Sequence, residues 1–267
     1  MISLNSILVP IDFSDNSREA LKYAIDFLGP SSGSITLLYG YKVYSSSGMF
    51  ISVEKLMKED AEREMDLIMR HFQEKLPDHI SLDFRIIRGE PVDTITAIAE
   101  EGAFDLVIMG TKGAGGLEEV FMGSTTGSVI KRINVPLMAI PSGYAFQSIN
   151  HIILAADDED YSSPGVFAPL LSIIDRFSSS LEVLHVGNEK APSLQKLPDL
   201  LQNTAFQLVH KQDGNFSETL FGEVQTHDSR LIAMVRRNRG ILSNLFHTSA
   251  TLKTAFHSPV PLLILFE

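Results

Sequence analysis

The stretch Asp105–Ser128, DLVIMGTKGAGGLEEVFMGSTTGS, constrains this chain more than any other. Its apolar run from Leu106 to Met109 reads as a buried strand. The strand stops at Gly110, a glycine-rich loop follows, and a helical pattern begins at Gly123-Ser124. Strand, glycine loop and helix N-terminus, in that order, suit an anion. Glycines let the backbone come close to it, and the N–H groups of the helix's first turn point at it. Ser124, Thr125 and Thr126 add hydroxyl donors at the same place. A phosphate is expected there, first of all a nucleotide's. The loop is not a Walker A sequence, because no GK[ST] triplet closes it. Nor is it a dinucleotide fingerprint: Gly113-Ala114-Gly115-Gly116 lacks the spacing and falls late in its domain.

Around this stretch strands alternate with helices. Strands are expected at Ile7–Ile11, Ile35–Tyr39, Ile80–Ile87, Asp105–Met109 and Val135–Ile140. Helices are expected from Ser17 to Leu28 with Ser17 as cap, from Ser52 to Leu76, from Pro91 to Glu101 and from Ser124 to Ile133. Tyr41–Phe50 reads as a loop. The alternation implies a parallel sheet with helices on both faces, and ligands of such sheets sit at the carboxyl ends of the strands. Asp12, Gly40 and the Gly110 loop all fall on that edge.

The pattern then restarts. Ser142–Asn150 is a polar linker. Strands follow at Ile152–Leu154, Leu181–Val186, Phe206–His210, Leu231–Met234 and Pro261–Phe266, with a helix at Val166–Phe177. LEVLHV (Leu181–Val186) parallels ITLLYG (Ile35–Gly40). Val135-Pro136 and Val260-Pro261 pair at an offset of 125, as do Met109 and Met234, whereas the early strands are offset by about 145. The second half is therefore shorter by about twenty residues in its middle. Two tandem Rossmann-like domains are expected: 1–141, a linker at 142–150, and 151–267. Each is an open five-stranded parallel sheet. At the offset of 125, Gly110 becomes Val235, Gly113 becomes Asn238 and Gly123 becomes Thr248; Ser249 alone keeps the type of Ser124. Added Cβ atoms crowd the place of a phosphate. One nucleotide site is expected, in the first half.

Composition narrows the class. There is no cysteine, which excludes disulfides and thiolate catalysis. There is no apolar run of transmembrane length and no signal-peptide pattern at Met1, so a cytoplasmic protein without membrane partners is expected. The net charge of −11 argues against a nucleic-acid partner. Eight histidines show no HExxH and no pair at helical spacing, and no metal site is expected. The acidic run Asp157–Asp160 reads as a solvated turn. Phe121-Met122 and Leu245-Phe246 read as core or interface anchors.

The spacing G-x2-G-x9-G-S (Gly110, Gly113, Gly123-Ser124) resembles the ATP-binding signature of the universal stress protein family. Ile7–Ser14 (ILVPIDFS) resembles that family's opening strand and acidic turn, and Arg88-Gly89-Glu90-Pro91 its entry into a helix. The resemblance covers residues 1–141. It implies that Asp12, with Pro10 beside it, meets the ribose or adenine and that Gly40 meets adenine through its backbone. It also implies that Gly110 and Gly113, bordered by Met109 and Lys112, admit ribose and phosphates. Gly123, Ser124 and Thr125 then hold phosphate. ATP, or AMP or ADP, with Mg²⁺ as a companion, is the implied ligand. One departure is that Glu118 and Glu119 stand where family loops often carry basic residues. The resemblance further implies a regulatory, stress-response role with at most weak ATP hydrolysis. It implies an intramolecular pseudo-dimer through the last strands, Val135–Ile140 beside Val260–Leu265, with a homodimer as a further possibility. The alternatives are a nucleotide-free interaction protein of the same fold and an ATP-using adenylyl-transfer enzyme, whose usual Ser-Gly-Gly loop after the first strand is not present here.

Overall fold

The computed structural model describes residues 2–42, 50–111, 123–161, 165–236 and 258–267. The expectations for Lys112, Gly113, Glu118, Glu119, Phe121-Met122, Asn238, Leu245-Phe246, Thr248 and Ser249 lie outside them.

The first unit runs from Asn5 through β1 (Ser6–Pro10), α1 (Asp15–Leu28), β2 (Gly33–Tyr41), α2 (Phe50–Gln73), β3 (Ile80–Arg88), α3 (Pro91–Ala99), β4 (Leu106–Gly110) and α4 (Ser124–Arg132). Its strands are parallel in the order β3-β2-β1-β4. Every residue of β4 is buried, and so are Ile7–Pro10 of β1. Successive side chains of a strand point to opposite faces, so these strands are covered on both. α1 packs on β1, β2 and β4 through Ala20, Ala24, Phe27 and Leu28, at the i, i+4, i+7, i+8 spacing of one helical face. α2 uses Ala61, Met65, Ile68 and Met69 in the same way. The carboxylate of Asp105 accepts from the N–H groups of Asn5 (3.0 Å) and Ser6 (2.9 Å), which ties the start of β1 to the start of β4.

The helix α1 begins earlier than its apolar pattern predicts. Ser14, not Ser17, is the N-cap, and its Oγ accepts from the Ser17 N–H. The shift follows from the turn at Asp12, whose Oδ1 accepts from both the N–H (3.1 Å) and the Oγ of Ser14.

The second unit holds β5 (Leu137–Ile140), β6 (His151–Ala156), α5 (Ala168–Phe177), β7 (Ser180–Val186), α6 (Pro192–Leu200), β8 (Phe206–Lys211), α7 (Phe216–Thr226), β9 (Leu231–Arg236) and β10 (Leu262–Phe266). The order β8-β7-β6-β9-β10 is parallel throughout and repeats the order of the first unit. β5 then closes on β10 antiparallel, with Leu263 opposite Met138. These are the two last strands expected side by side. The missing twenty residues of the second half are accounted for locally. Fifteen of them are the difference between the 24 residues of α2 and the 9 of α6, which carries Pro198 inside it, and the rest lie in the adjoining loops. Among the described residues no helix is long and apolar enough to cross a membrane.

Candidate functional site

In both units the strand order reverses beside the first strand of the repeat. In the first unit this switch lies between β1 and β4, and a crevice at the carboxyl ends of two such strands is where α/β sheets hold ligands. Pro10 ends β1 and is buried; Met109 and Gly110 end β4 and are buried. Asp12 follows β1, and Gly40 lies one residue before the end of β2. Gly123, Ser124 and Thr125 open α4. The structure therefore brings Pro10, Asp12, Met109 and Gly110 to one end of adjacent strands. The tie from there to α4 is direct: the buried hydroxyl of Thr126 donates to the Gly110 carbonyl at 2.8 Å. The Gly123 N–H also donates to the Thr111 carbonyl.

The start of α4 presents backbone N–H groups that no side chain among the described residues caps. The cap residue is Gly123. The first intrahelical bond there runs from the Gly127 N–H to the Gly123 carbonyl (3.1 Å). The amides of Ser124, Thr125 and Thr126 precede that bond, so they have no acceptor within the helix. Ser124 is exposed and Thr125 half-exposed, which leaves this end reachable. Lys131 and Arg132 in the last turn complement the opposite end of the helix dipole.

The glycines serve space rather than unusual dihedrals. Gly123 has φ −53°, which any residue adopts. A Cβ on Gly110 would stand 2.2 Å from Asn16 Nδ2 and 3.0 Å from the Asn16 carbonyl oxygen, so Gly110 is required by α1 itself. A Cβ on Gly40 would stand 3.2 Å from Pro91 Cα and 3.3 Å from Thr94 Cβ, against α3.

Two aromatic residues on this edge escape a reading by spacing. Phe13 takes φ +64°, a left-handed conformation rare for a bulky residue, and its ring lies 4.5 Å from that of Tyr39. Burial raises the pKa of the Tyr39 hydroxyl, and the negative charge of Asp12 adds to the rise. The only sequence signals were their places, one residue after Asp12 and one before Gly40.

Among the described residues, the matching edge of the second unit carries hydrogen-bonded side chains of its own. His185, fully buried, stands where Tyr39 stands in the repeat, and Val186 replaces Gly40. His185 Nε2 lies 2.9 Å from Asp158 Oδ1, and its Nδ1 lies 3.1 Å from His210 Nδ1. Asp158 Oδ1 also accepts from the Asn188 N–H at 3.1 Å. Asp160 pairs with Lys196 at 2.5 Å, and the Asp157 carbonyl accepts from the Ser193 hydroxyl. The acidic run expected as a solvated turn is thus tied down in part, and Asp157 is buried.

Comparison with known proteins agrees with this architecture. The pattern of the universal stress protein family matches residues 4–141. Universal stress protein MJ0531 of Methanocaldococcus jannaschii is 27% identical over 139 residues, which span 50% of this chain and 80% of that protein. Universal stress protein MJ0577 of the same organism is 27% identical over 161 residues, 52% of this chain and 96% of that protein. The crystal structure of a universal stress protein from Archaeoglobus fulgidus superposes with a TM-score of 0.72 at 18% identity, covering 97% of this chain and 95% of that one, a likeness of fold across both halves. A family pattern that fills half the chain, on the strand order just described, settles the membership: the chain belongs to the universal stress protein family, in a form about twice the length of one family domain.

Proposed function

We propose that the first half of the chain, 1–141, binds one adenine nucleotide at the carboxyl edge of β1 and β4, and that the output of binding is regulatory. The observation that carries this reading is the uncapped, exposed start of α4, tied by Thr126 to the end of β4 at the strand-order switch. The phosphates meet the amides of Ser124, Thr125 and Thr126 together with the hydroxyls of Ser124 and Thr125. The ribose and base lie toward Asp12, Pro10 and Gly40, with Met109 and Gly110 along the path; the family resemblance extends this role to Lys112 and Gly113. ATP, ADP and AMP share this chemistry, and Mg²⁺ accompanies the phosphates only of the longer nucleotides. Asp12 already holds Ser14 through Oδ1, which supports a positioning role over that of a general base, and turnover is at most weak. The hydrogen-bonded His185, Asp158 and His210 in the other half, with Val186 in place of Gly40, support a single site per chain. The halves 1–141 and 151–267 are read as a pseudo-dimer, supported by the antiparallel pairing of β5 with β10.

Calorimetric titration with ATP, ADP and AMP, each with and without Mg²⁺, tests the assignment. One nucleotide per chain is expected, and Gly123→Val is expected to abolish binding while the protein stays folded. A stoichiometry of two, or undiminished binding by the variant, contradicts the reading. Absence of any thermal shift with all three nucleotides would favour a nucleotide-free interaction protein, because a ligand bound only to the folded state must stabilise it.

A further inference from the structure

We propose that Glu182, Glu223 and His227 form a binding site for one divalent transition-metal ion, Zn²⁺ in class, in the second unit and independent of the nucleotide site.

Glu182 lies near the amino-terminal end of β7, away from the edge that carries His185. Its side chain is 1% exposed, and neither Oε1 nor Oε2 has a hydrogen-bond partner among the described residues. A buried carboxylate is costly unless a positive group compensates it, and the only such group beside Glu182 among the described residues is His227. The other two groups arrive on one helix face. Glu223 and His227 are four residues apart at the end of α7, so their side chains are neighbours. His227 Nδ1 lies 3.2 Å from Glu182 Oε2 and 3.5 Å from Glu223 Oε2, and the three donor atoms all fall within 4.8 Å of one another. Ligand bonds of about 2.0–2.2 Å set neighbouring donors of a tetrahedral zinc roughly 3.3 Å apart. Two of the three separations already sit at that value.

The donor set selects the ion. One imidazole and two carboxylates suit Zn²⁺ and its neighbours, whereas Mg²⁺ and Ca²⁺ prefer oxygen alone. The surroundings hold the donors in place. Lys211 Nζ lies 3.4 Å from Glu223 Oε1, leaving Oε2 toward the centre. The His151 ring stacks on His227 at 5.5 Å and is itself fixed by Ser229 Oγ at 2.8 Å from Nδ1. The first half has no counterpart. In matching strand register Glu182 replaces Thr36: Thr36 faces Leu8 and Glu182 faces Ile153. At the offset of 125, Glu223 and His227 replace Ile98 and Gly102. Two carboxylates and an imidazole thus stand where the first repeat has a threonine, an isoleucine and a glycine, which together make no such donor set.

The test uses the full chain, stripped with a chelator, then titrated with Zn²⁺ by calorimetry and with Co²⁺ by visible absorption. One ion per chain is expected, with a tetrahedral Co²⁺ spectrum and a rise in Tm. Glu223→Gln, half-buried, and His227→Gln, exposed, should each weaken binding by more than the roughly 10–100-fold that loss of an outer partner costs. His79→Gln, in the first unit, should leave it unchanged. No bound ion, binding that both site variants retain, or binding that follows His79 overturns the proposal. Gly123→Val should leave metal binding intact, so failure here and failure of the nucleotide reading are separable.

Discussion

At the scale of the residue, Asp12 is engaged in three directions. Its Oδ1 holds Ser14, that turn places Phe13 at φ +64°, and its charge acts on Tyr39. The Tyr39 phenol should therefore ionise above the usual value near 10, with burial as the larger cause and Asp12 the smaller. An acid whose pKa is raised on folding stabilises the protein below its unfolded value and loses that contribution as pH rises through the folded one. Alkaline titration of phenolate absorbance, with Tyr39→Phe to assign the transition, should show a late-ionising tyrosine. Asp12→Asn should move its midpoint down while leaving it above that of an exposed tyrosine. A midpoint unmoved by Asp12→Asn would mean that the carboxylate does not act on the ring. Neither partner was legible from spacing, because a side chain at the end of one strand meets its neighbour only after the sheet sets β1 beside β2.

Elements were legible wherever burial on both faces made the pattern simple. β1 and β4 are continuous apolar runs because helices cover both sides of them, and α1 shows its stripe. α6 and α7 were not. α6 carries Pro198 inside nine residues, and α7 holds Gly222 in a short amphipathic segment, so neither presents a clean helical repeat. Caps explain the remaining shifts: Ser14 outranks Ser17 through the turn at Asp12, and Asn215 accepts from the N–H groups of Ser217 (3.0 Å) and Glu218. Gly123 offers nothing to the amides of α4, and α3, α5 and α6 likewise begin without a side-chain cap; α4 differs from those three in lacking a proline in its first turn. A carboxylate in place of Gly123 would supply what the nucleotide is proposed to supply. Gly123→Asp is thus expected to stabilise the free protein by a few tenths of a kcal/mol in urea unfolding, roughly the difference between an acidic and a glycine cap. The same variant should lose nucleotide binding in calorimetry. A variant that gains stability yet binds as before would separate the helix end from the site.

At the scale of the whole molecule, sequence repeat and structural unit do not coincide at β5. The strand belongs to the first repeat by its place in the chain, yet it lies in the unit that holds residues 136–267, paired antiparallel with β10. The apolar strands explain why. Leu137–Ile140 and Leu262–Leu265 are all buried, and an unpaired edge of such residues is a template for association with another chain. The repeat offset made the two strands visible; their pairing direction depends on a contact between residues about 125 positions apart, which no local pattern encodes. Cutting the chain within the 142–150 linker is therefore expected not to release two self-sufficient halves. Residues 151–267 expressed alone should self-associate or precipitate through the open edge of β10, and 1–141 should form dimers through β5. Light scattering on the separate and the co-expressed fragments reads this directly: mixing should return a one-to-one complex with the mass of the intact chain less its linker. Should 151–267 stay monomeric and folded on its own, the pairing of β5 with β10 would be dispensable. Charge on that edge gives the complementary result: Met138→Lys, opposite Leu263, should weaken reassociation of the fragments and leave nucleotide binding by the first repeat in place.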